Sequence, residues 1–259
     1  MGNEQQTHTT SKRSHAQRLL IVIVTLVLLV IVSGGMLILR SYVQRINERA
    51  AATSVIASSS LTPQPIFEDT FANNSKGWYV GQSVGYSRLI TNNGLMLTDT
   101  NHTIMVESLP LSQQFENVTV TTTVTFVSGG KQDSVGFYVR GDSNLDHDYR
   151  IEIFGNNTYA ISKESIDDRN GQEITFLVPP TTTPLLKPLG QANTLALTMN
   201  GPALTLAING KVASQITDTE YTTGQIALFV SNDPSSNGVV GLFSSISIMS
   251  VVDSKNSIG

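Results

Sequence analysis

The sequence predicts an all-β domain, built as a two-sheet antiparallel jelly-roll sandwich and preceded by a single transmembrane helix. Two observations lead to this prediction. An uninterrupted apolar run lies near the N-terminus, at Leu19–Leu39. From Ile66 onward, short β-branched runs alternate with Gly, Asn, Asp and Pro, which is typical of antiparallel all-β domains. No long 3.6-residue periodicity appears in this second part, so helices are not expected there.

The apolar run has the length of a membrane-spanning helix. Thr25 and Ser33 are its only polar side chains, and it carries no charge. At about 1.5 Å per residue it reaches roughly 30 Å, the thickness of a hydrocarbon core. A cleaved signal peptide is the closest alternative, because small residues follow at 50–52, but its apolar region normally spans only about 7 to 15 residues. We therefore predict a retained signal anchor whose partner is membrane lipid.

Around this anchor the chain divides into five segments. They are a cytoplasmic tail (1–18), the transmembrane helix (19–39), a juxtamembrane helix and Ser/Pro-rich stalk (40–65), the β domain (66–252) and a tail (253–259). Three basic residues flank the helix on each side, so the positive-inside count is tied. We place the short tail inside because long domains translocate largely regardless of their charge. The expected location is the cell membrane, with the C-terminal domain extracytoplasmic.

Composition narrows the possible functions. Residues 1–60 carry a net charge of +4, and the total of −4 leaves −8 for the remainder. An acidic domain lacks the concentrated basic face that nucleic acid requires, so no nucleic-acid partner is expected. The chain has no cysteine, which excludes disulfides, thiolate zinc sites and a cysteine nucleophile. Its four histidines lack the spacing of a zinc site.

Several β runs have one face suited to a core. Alternation in 135–139 and in 149–153 places apolar side chains on one face of each strand. In Val118–Val127 the alternation slips near Thr123, which predicts a bulge. Asn209-Gly210 predicts a tight hairpin between two short strands. A dozen or so strands are too many for one open sheet, so two stacked sheets are expected.

An ordered series of motifs then indicates a family. FEDTF at 67–71, GFYVRG at 136–141, DYRIEIFGNNTYAISK at 148–163 and LALTMNGPALTLAINGKVASQITD at 195–218 follow one another along the domain. In order and spacing they resemble the concanavalin A-like lectin/glucanase jelly rolls, including laminin-G-like modules and the domain of keto-disaccharide hydrolase-like proteins. The resemblance covers about residues 66–249 and implies a jelly roll with a carbohydrate-related function.

The resemblance does not extend to catalysis. The family's β-glucan hydrolases carry Glu-x-Asp-x-Glu or a close variant on one strand, because a period of two places the carboxylates on one face. No strand of this chain has that pattern. Glu164, Asp167 and Asp168 fall in a stretch that is typical of a turn, and Glu152 stands alone between two isoleucines. The sequence therefore predicts that the domain is not an enzyme.

Four residues are candidates for ligand binding. Tyr138, Arg140, Arg150 and Glu152 are expected on neighbouring strands, on the face that points away from the core. Sugar recognition needs an aromatic platform and charged groups that form paired hydrogen bonds, and this face offers both. The alternative is a cross-strand Arg–Glu pair on an ordinary wet surface, and the sequence leaves both interpretations open. Trp78 is expected in the core.

An Asp-rich segment is a candidate calcium site. Asp142, Asn144, Asp146 and Asp148 alternate along GDSNLDHDY and offer the oxygen ligands that Ca²⁺ prefers. The segment lacks the glycine and the closing glutamate of an EF-hand loop, which favours a solvated inter-strand loop instead. Apart from a possible Ca²⁺, no cofactor is expected.

These observations together predict a membrane-anchored, extracytoplasmic, non-catalytic binding module. Carbohydrate is the expected ligand, and a surface protein is the other possible partner. Two alternatives remain at this stage, a structural or adhesion module of a membrane complex and a glycoside hydrolase-like enzyme.

Overall fold

A computed structural model describes residues 64–167 and 171–251, together with the single positions Leu26 and Gln44. Apart from Leu26, the predicted membrane helix at 19–39 lies outside the described residues, and so does the predicted stalk at 40–65 apart from Gln44 and its last two residues. The predicted tail from 253 lies outside them as well. The described part of the chain contains no helix long and apolar enough to cross a membrane.

Fifteen strands and no helix make up residues 64–167 and 171–251. The strands are β1 (Phe67–Asp69), β2 (Gly81–Ser83), β3 (Tyr86–Thr91), β4 (Gly94–Asp99), β5 (Ile104–Ser108), β6 (Val118–Ser128), β7 (Ser134–Gly141), β8 (His147–Phe154), β9 (Thr158–Asp167), β10 (Gly171–Thr182), β11 (Ala192–Asn200), β12 (Ala203–Ile208), β13 (Lys211–Thr217), β14 (Gln225–Ser231) and β15 (Val239–Ser250).

The strands form two antiparallel sheets. A nine-stranded sheet has the order β13-β12-β11-β6-β15-β4-β3-β2, and β1 pairs with the C-terminal part of β15. A six-stranded sheet has the order β10-β9-β8-β7-β14-β5. The predicted two-sheet antiparallel sandwich is confirmed.

The core lies between the two sheets and follows the predicted alternation. Val135, Phe137 and Val139 of β7 are buried in the main apolar cluster together with Tyr149 and Ile151 of β8. Trp78 is also buried in this cluster, as predicted, and its indole Nε1 donates to Asp69 Oδ2 at 2.7 Å. The other face of the six-stranded sheet is therefore free to carry polar side chains.

The bulge predicted near Thr123 lies in the partner strand instead. Burial alternates without interruption along β6 as far as Phe126, and Thr122 takes an inward position. The register shift falls between Phe243 and Ser245 of β15. Thr122 Oγ1 donates to the Ser245 carbonyl at 2.9 Å, so its buried hydroxyl is satisfied by the strand that bulges.

The Asn209-Gly210 hairpin is confirmed. Both residues have positive φ, 51° and 79°, which the tight turn between β12 and β13 requires. Asn209 also uses its side chain, because its amide donates to the Leu185 carbonyl at 2.7 Å and its carbonyl accepts from Thr194 N at 3.0 Å. The turn thereby ties the edge of the nine-stranded sheet to its neighbours.

Candidate functional site

The outer face of the six-stranded sheet carries a cluster of charged and aromatic side chains. Antiparallel register places Tyr138 opposite Arg150, Arg150 opposite Ser162, and Asp148 opposite Glu164. Directly paired residues share a face, and this face is opposite to the one that carries the core residues Phe137 and Ile151. We call it the polar face, defined by Tyr138, Asp148, Arg150, Glu152, Ser162 and Glu164.

Arg150 is the centre of the polar face. Its guanidinium lies 5.1 Å from the Tyr138 ring centroid and 5.7 Å from that of Phe229, within the range of cation–π attraction. The rings of Tyr138 and Phe229 are themselves 4.7 Å apart. Arg150 also forms an ion pair with Glu164, whose other oxygen accepts from Gln172. One cation thus holds two strands and two aromatic rings together.

Glu152 shares the polar face and is held by a hydroxyl. Its Oε2 accepts from Ser134 Oγ at 2.7 Å. Burial raises the pKa of Glu152, although the charge of Arg150 and the hydrogen bond from Ser134 act in the opposite direction. Tyr138, Arg150 and Glu152 therefore come together as the sequence predicted.

Their burial differs from the exposed face that both sequence-based interpretations assumed. Tyr138 is 2% exposed, Arg150 4% and Glu152 5%. Tyr138 packs with Ala227 and Phe229 in a second small apolar cluster, to which Leu145 of the β7–β8 loop is joined. Alternation identified the face correctly, but the side chains on it form a packed layer.

Arg140 lies elsewhere, which corrects the predicted convergence of all four residues. A register shift between β14 and β7 accompanies a positive φ of 54° at Arg140. Its guanidinium donates to three backbone carbonyls, those of Tyr221 at 2.9 Å, Glu116 at 3.2 Å and Gly201 at 2.7 Å. Burial lowers the pKa of Arg140. Arg140 therefore ties strand connections together and is no part of the polar face.

The Asp-rich loop does not gather its oxygens around one point. Asp142 Oδ1 accepts from Asp146 N at 2.8 Å and thus closes the loop on itself. Asp148 leaves the loop and lies on the polar face, opposite Glu164. Within 64–167 and 171–251, no group of three or more His, Cys, Asp or Glu side chains is arranged to hold a metal ion. The calcium site therefore stays a candidate from the sequence, which itself favoured a solvated loop.

Sequence reasoning missed Glu164 and Ser162 as members of the polar face. The first part of the stretch assigned to a turn is strand, because β9 runs to Asp167. Continuing the period of two beyond Ile161 would have placed both residues on the face of Arg150. The period of two was not recognised there because polar residues next to a turn interrupt the apolar pattern.

Three neighbouring groups on the polar face have unused hydrogen-bonding capacity. Both carboxyl oxygens of Asp148, the Ser162 hydroxyl and Arg150 Nε are buried and have no hydrogen-bond partner among the residues that the structure describes. Buried polar atoms are nearly always paired, because an unpaired one destabilises the fold.

Asp148 is the most strongly perturbed of these groups. Burial, reinforced by the negative charge of Glu164, raises the pKa of Asp148 from 3.8 to about 8, against the opposing effect of Arg150. At neutral pH it is therefore mainly a neutral acid that can donate as well as accept a hydrogen bond.

Asp148 should make the stability of the protein fall as pH rises. Between pH 4 and 8 the folded carboxyl keeps a proton that the unfolded chain has lost, so the free energy of unfolding decreases with pH. Urea unfolding at pH 5 and pH 8 should give the parent a smaller free energy of unfolding at pH 8. Asp148→Asn should make the difference between the two free energies smaller. Some dependence on pH should remain in the variant, because the pKa values of Glu107 and Glu152 are also raised. An unchanged difference in the variant would contradict the assigned environment.

An exposed apolar strip borders the polar face at the edge of the sheet. Phe176 lies opposite Ser162, Ile174 opposite Glu164, and Ile166 opposite Gln172, so all three apolar side chains share the face of Arg150. Each is exposed, Phe176 to 47%. We call Ile166, Ile174 and Phe176 the apolar strip. It gives the packed polar layer an edge that solvent and ligands can reach.

The chain matches known proteins in its structure and not in its sequence. No protein-family model and no curated protein sequence matches the chain. Among solved structures, the carbohydrate-binding module CBM66 of Bacillus subtilis is 13% identical, with a TM-score of 0.51 over 68% of this chain and 98% of that one. The fold is a concanavalin A-like jelly roll.

Two further solved structures share this jelly roll. A glycoside hydrolase family 16 endo-glucanase from Bacteroides ovatus is 10% identical, with a TM-score of 0.52 over 71% of this chain and 100% of that one. A protein of unknown function with a galectin-like fold from Bacillus subtilis is 13% identical, with a TM-score of 0.52 over 73% of this chain and 96% of that one. The predicted resemblance is confirmed for the fold of the jelly-roll domain.

Proposed function

We propose that this chain is a membrane-anchored, extracytoplasmic, non-catalytic module that binds carbohydrate along the outer face of its six-stranded sheet. The observation that carries this proposal is the exposed apolar strip at the edge of the outer face. Phe176 is exposed directly across the strand pair from the unpartnered Ser162 hydroxyl. The similarity of the whole jelly roll to a carbohydrate-binding module supports the same function.

The chemistry of this edge suits a sugar. A sugar ring presents C–H groups that pack on aromatic and aliphatic side chains, and hydroxyls that both donate and accept hydrogen bonds. Phe176 and Ile174 offer the apolar surface, and the exposed Gln172 on the same face of β10 offers a polar amide beside them. Because Phe176 is exposed, it can contact a ligand without any rearrangement of the core.

The carboxyl groups favour binding over hydrolysis. A glycosidase needs two carboxyl groups that reach opposite sides of the scissile bond. Asp148 and Glu164 face each other but are both buried, and Glu164 is engaged by Arg150 and Gln172. Hydrolysis stays the alternative that the experiment must exclude, since one structural neighbour is an endo-glucanase.

A binding assay on the full chain separates the three possible functions. The protein, purified in a detergent without a sugar headgroup, is applied to a glycan array and to a panel of chromogenic glycosides. We expect retention on one class of glycan and no release of chromophore. Turnover of a glycoside would show that the protein is an enzyme. Binding to none of the glycans would favour a structural or adhesion module.

The membrane anchor is tested by topology. The apolar run at 19–39 and the stalk at 40–65 support an extracytoplasmic domain. Protease added to intact cells that make the protein should remove the domain and leave a membrane-bound stub. Full protection of the domain, or full-length soluble protein in the medium, would contradict the proposed topology.

A further inference from the structure

A second group of aromatic side chains surrounds the ion pair between Arg88 of β3 and Glu107 of β5. Arg88 pairs with the buried Leu97 of β4, so its side chain points between the sheets. The guanidinium lies 5.5 Å from the ring centroids of both Tyr79 and Tyr86. We call Tyr79, Tyr86 and Arg88 the tyrosine platform. It shares no residue with the polar face or the apolar strip.

The platform is held by a buried carboxylate. Glu107 of β5 lies 3.0 Å from Arg88 Nε and accepts from Tyr79 N at 2.8 Å. Arg88 Nη2 also donates to the Val106 carbonyl at 3.0 Å. Burial raises the pKa of Glu107, so desolvating this carboxylate carries an energetic cost. The ion pair fixes the position of the rings before any ligand arrives.

Exposure shows that the platform does more than close the sandwich. Tyr79 is 68% exposed, whereas a ring that only sealed the core would be largely covered. Gly81 of β2 lies opposite Arg88 and next to the Tyr79 ring, where it has no side chain to cover that ring. Fixed, exposed tyrosines of this kind recur at recognition sites because they offer a large contact area at low entropic cost.

The charge of the platform limits the ligand. Glu107 neutralises Arg88, so neither a phosphate nor an acidic peptide finds a free cation there. An exposed, uncharged aromatic ring fits a neutral ligand ring that has C–H groups on its face. Sugar rings have this chemistry.

We infer that the tyrosine platform is a second carbohydrate-binding site, which takes the ring face of a neutral polysaccharide independently of the polar face. Two sites on one domain would bind two segments of a polymer, or two chains, and would raise the overall affinity without new contacts at either site.

Affinity electrophoresis of the full chain tests this second site. The probes are soluble neutral polysaccharides, namely a β-glucan, a mannan, a galactan and a fructan. Tyr79→Ala should weaken retention by at least one of them about tenfold. Tyr79→Phe keeps the ring and should bind like the parent. Val84→Ala, at a position that is 93% exposed, is the matched control and should also bind like the parent.

The outcome does not depend on the fate of the first site. Melting temperatures show whether Tyr79→Ala still folds, and Tyr86→Ala is the second variant if it does not. If a polysaccharide still retains Phe176→Ala but no longer retains Tyr79→Ala, the platform is supported. This holds even if the first site turns out not to bind carbohydrate. The inference is overturned if the parent is retained by none of the probes. It is equally overturned if Tyr79→Ala is retained as strongly as the parent, or if Val84→Ala loses as much retention as Tyr79→Ala does.

Discussion

Replacing Val139 with aspartate is expected to unfold the domain. Val139 has no solvent exposure and lies in the main apolar cluster between the sheets. The variant loses the burial of a valine, about 1.5 to 3 kcal/mol, and places an unpaired carboxylate in the core at a further cost of several kcal/mol. Total stabilities are only about 5 to 15 kcal/mol, so little or none should remain.

Trp78 reports this result directly. It is the single tryptophan of the chain and is buried in the same cluster. Its fluorescence should shift to the red in Val139→Asp, because the indole becomes exposed to water. Val84→Asp, the same substitution at an exposed valine, should keep the parent spectrum. A native spectrum and a cooperative transition in Val139→Asp would show that the assigned inward face is wrong.

Removing the carboxylate of Asp133 should produce the second large effect. Asp133 is fully buried and accepts from Gly130 N at 2.6 Å, Asp233 N at 2.6 Å and Asn232 Nδ2 at 3.2 Å, as well as from the Ser236 hydroxyl. Asp133→Ala leaves these donors without their acceptor, and each unsatisfied buried donor costs about 1 to 3 kcal/mol. We expect a loss of about 3 kcal/mol or more in the free energy of unfolding.

Denaturant unfolding with Trp78 fluorescence measures this loss. Glu68→Ala is the control, because it removes a carboxylate from an exposed position of β1 and should change stability by less than about 0.5 kcal/mol. A decrease in the free energy of unfolding of less than about 1 kcal/mol in Asp133→Ala would contradict this. It would mean that water replaces the carboxylate and that Asp133 does not organise the loop between β14 and β15.

Local pattern was enough to predict much of the fold. The alternation around Phe137 and Ile151 identified the inward and outward faces of β7 and β8, because a period of two is a direct consequence of strand geometry. Asn209-Gly210 identified its hairpin because both residues tolerate positive φ. The face that carries Tyr138, Arg150 and Glu152 was predictable for the same reason.

What the sequence could not supply depends on contacts between distant segments. Arg140 leaves the predicted face because of a register shift against β14, a strand more than eighty residues further along the chain. The burial of Tyr138 depends on Phe229 of that same strand. Arg88 and Glu107 meet only because two sheets close on each other. None of these pairings leaves a periodic signal in its own strand.

The burial of Tyr138 also changes what its substitution should do. On a wet face, Tyr138→Ala would leave the fold nearly intact, but in the structure the ring packs against Phe229 and lies under the Arg150 guanidinium. The loss of a buried aromatic side chain costs about 3 to 5 kcal/mol, so a change in binding by this variant would not isolate a ligand contact. An exposed residue of the apolar strip is the better probe.

Carbohydrate binding by Phe176→Ala is the measurement that tests the central claim most directly. Thr175→Ala, its neighbour on the opposite face of β10, is the matched control, because Thr175 is also exposed and pairs with Lys163. With the glycan that the array identifies, the account predicts that Phe176→Ala binds about tenfold more weakly than the parent while keeping its melting temperature, and that Thr175→Ala binds as the parent does. Equal affinity of Phe176→Ala and the parent, or an equal loss in both variants, would contradict it.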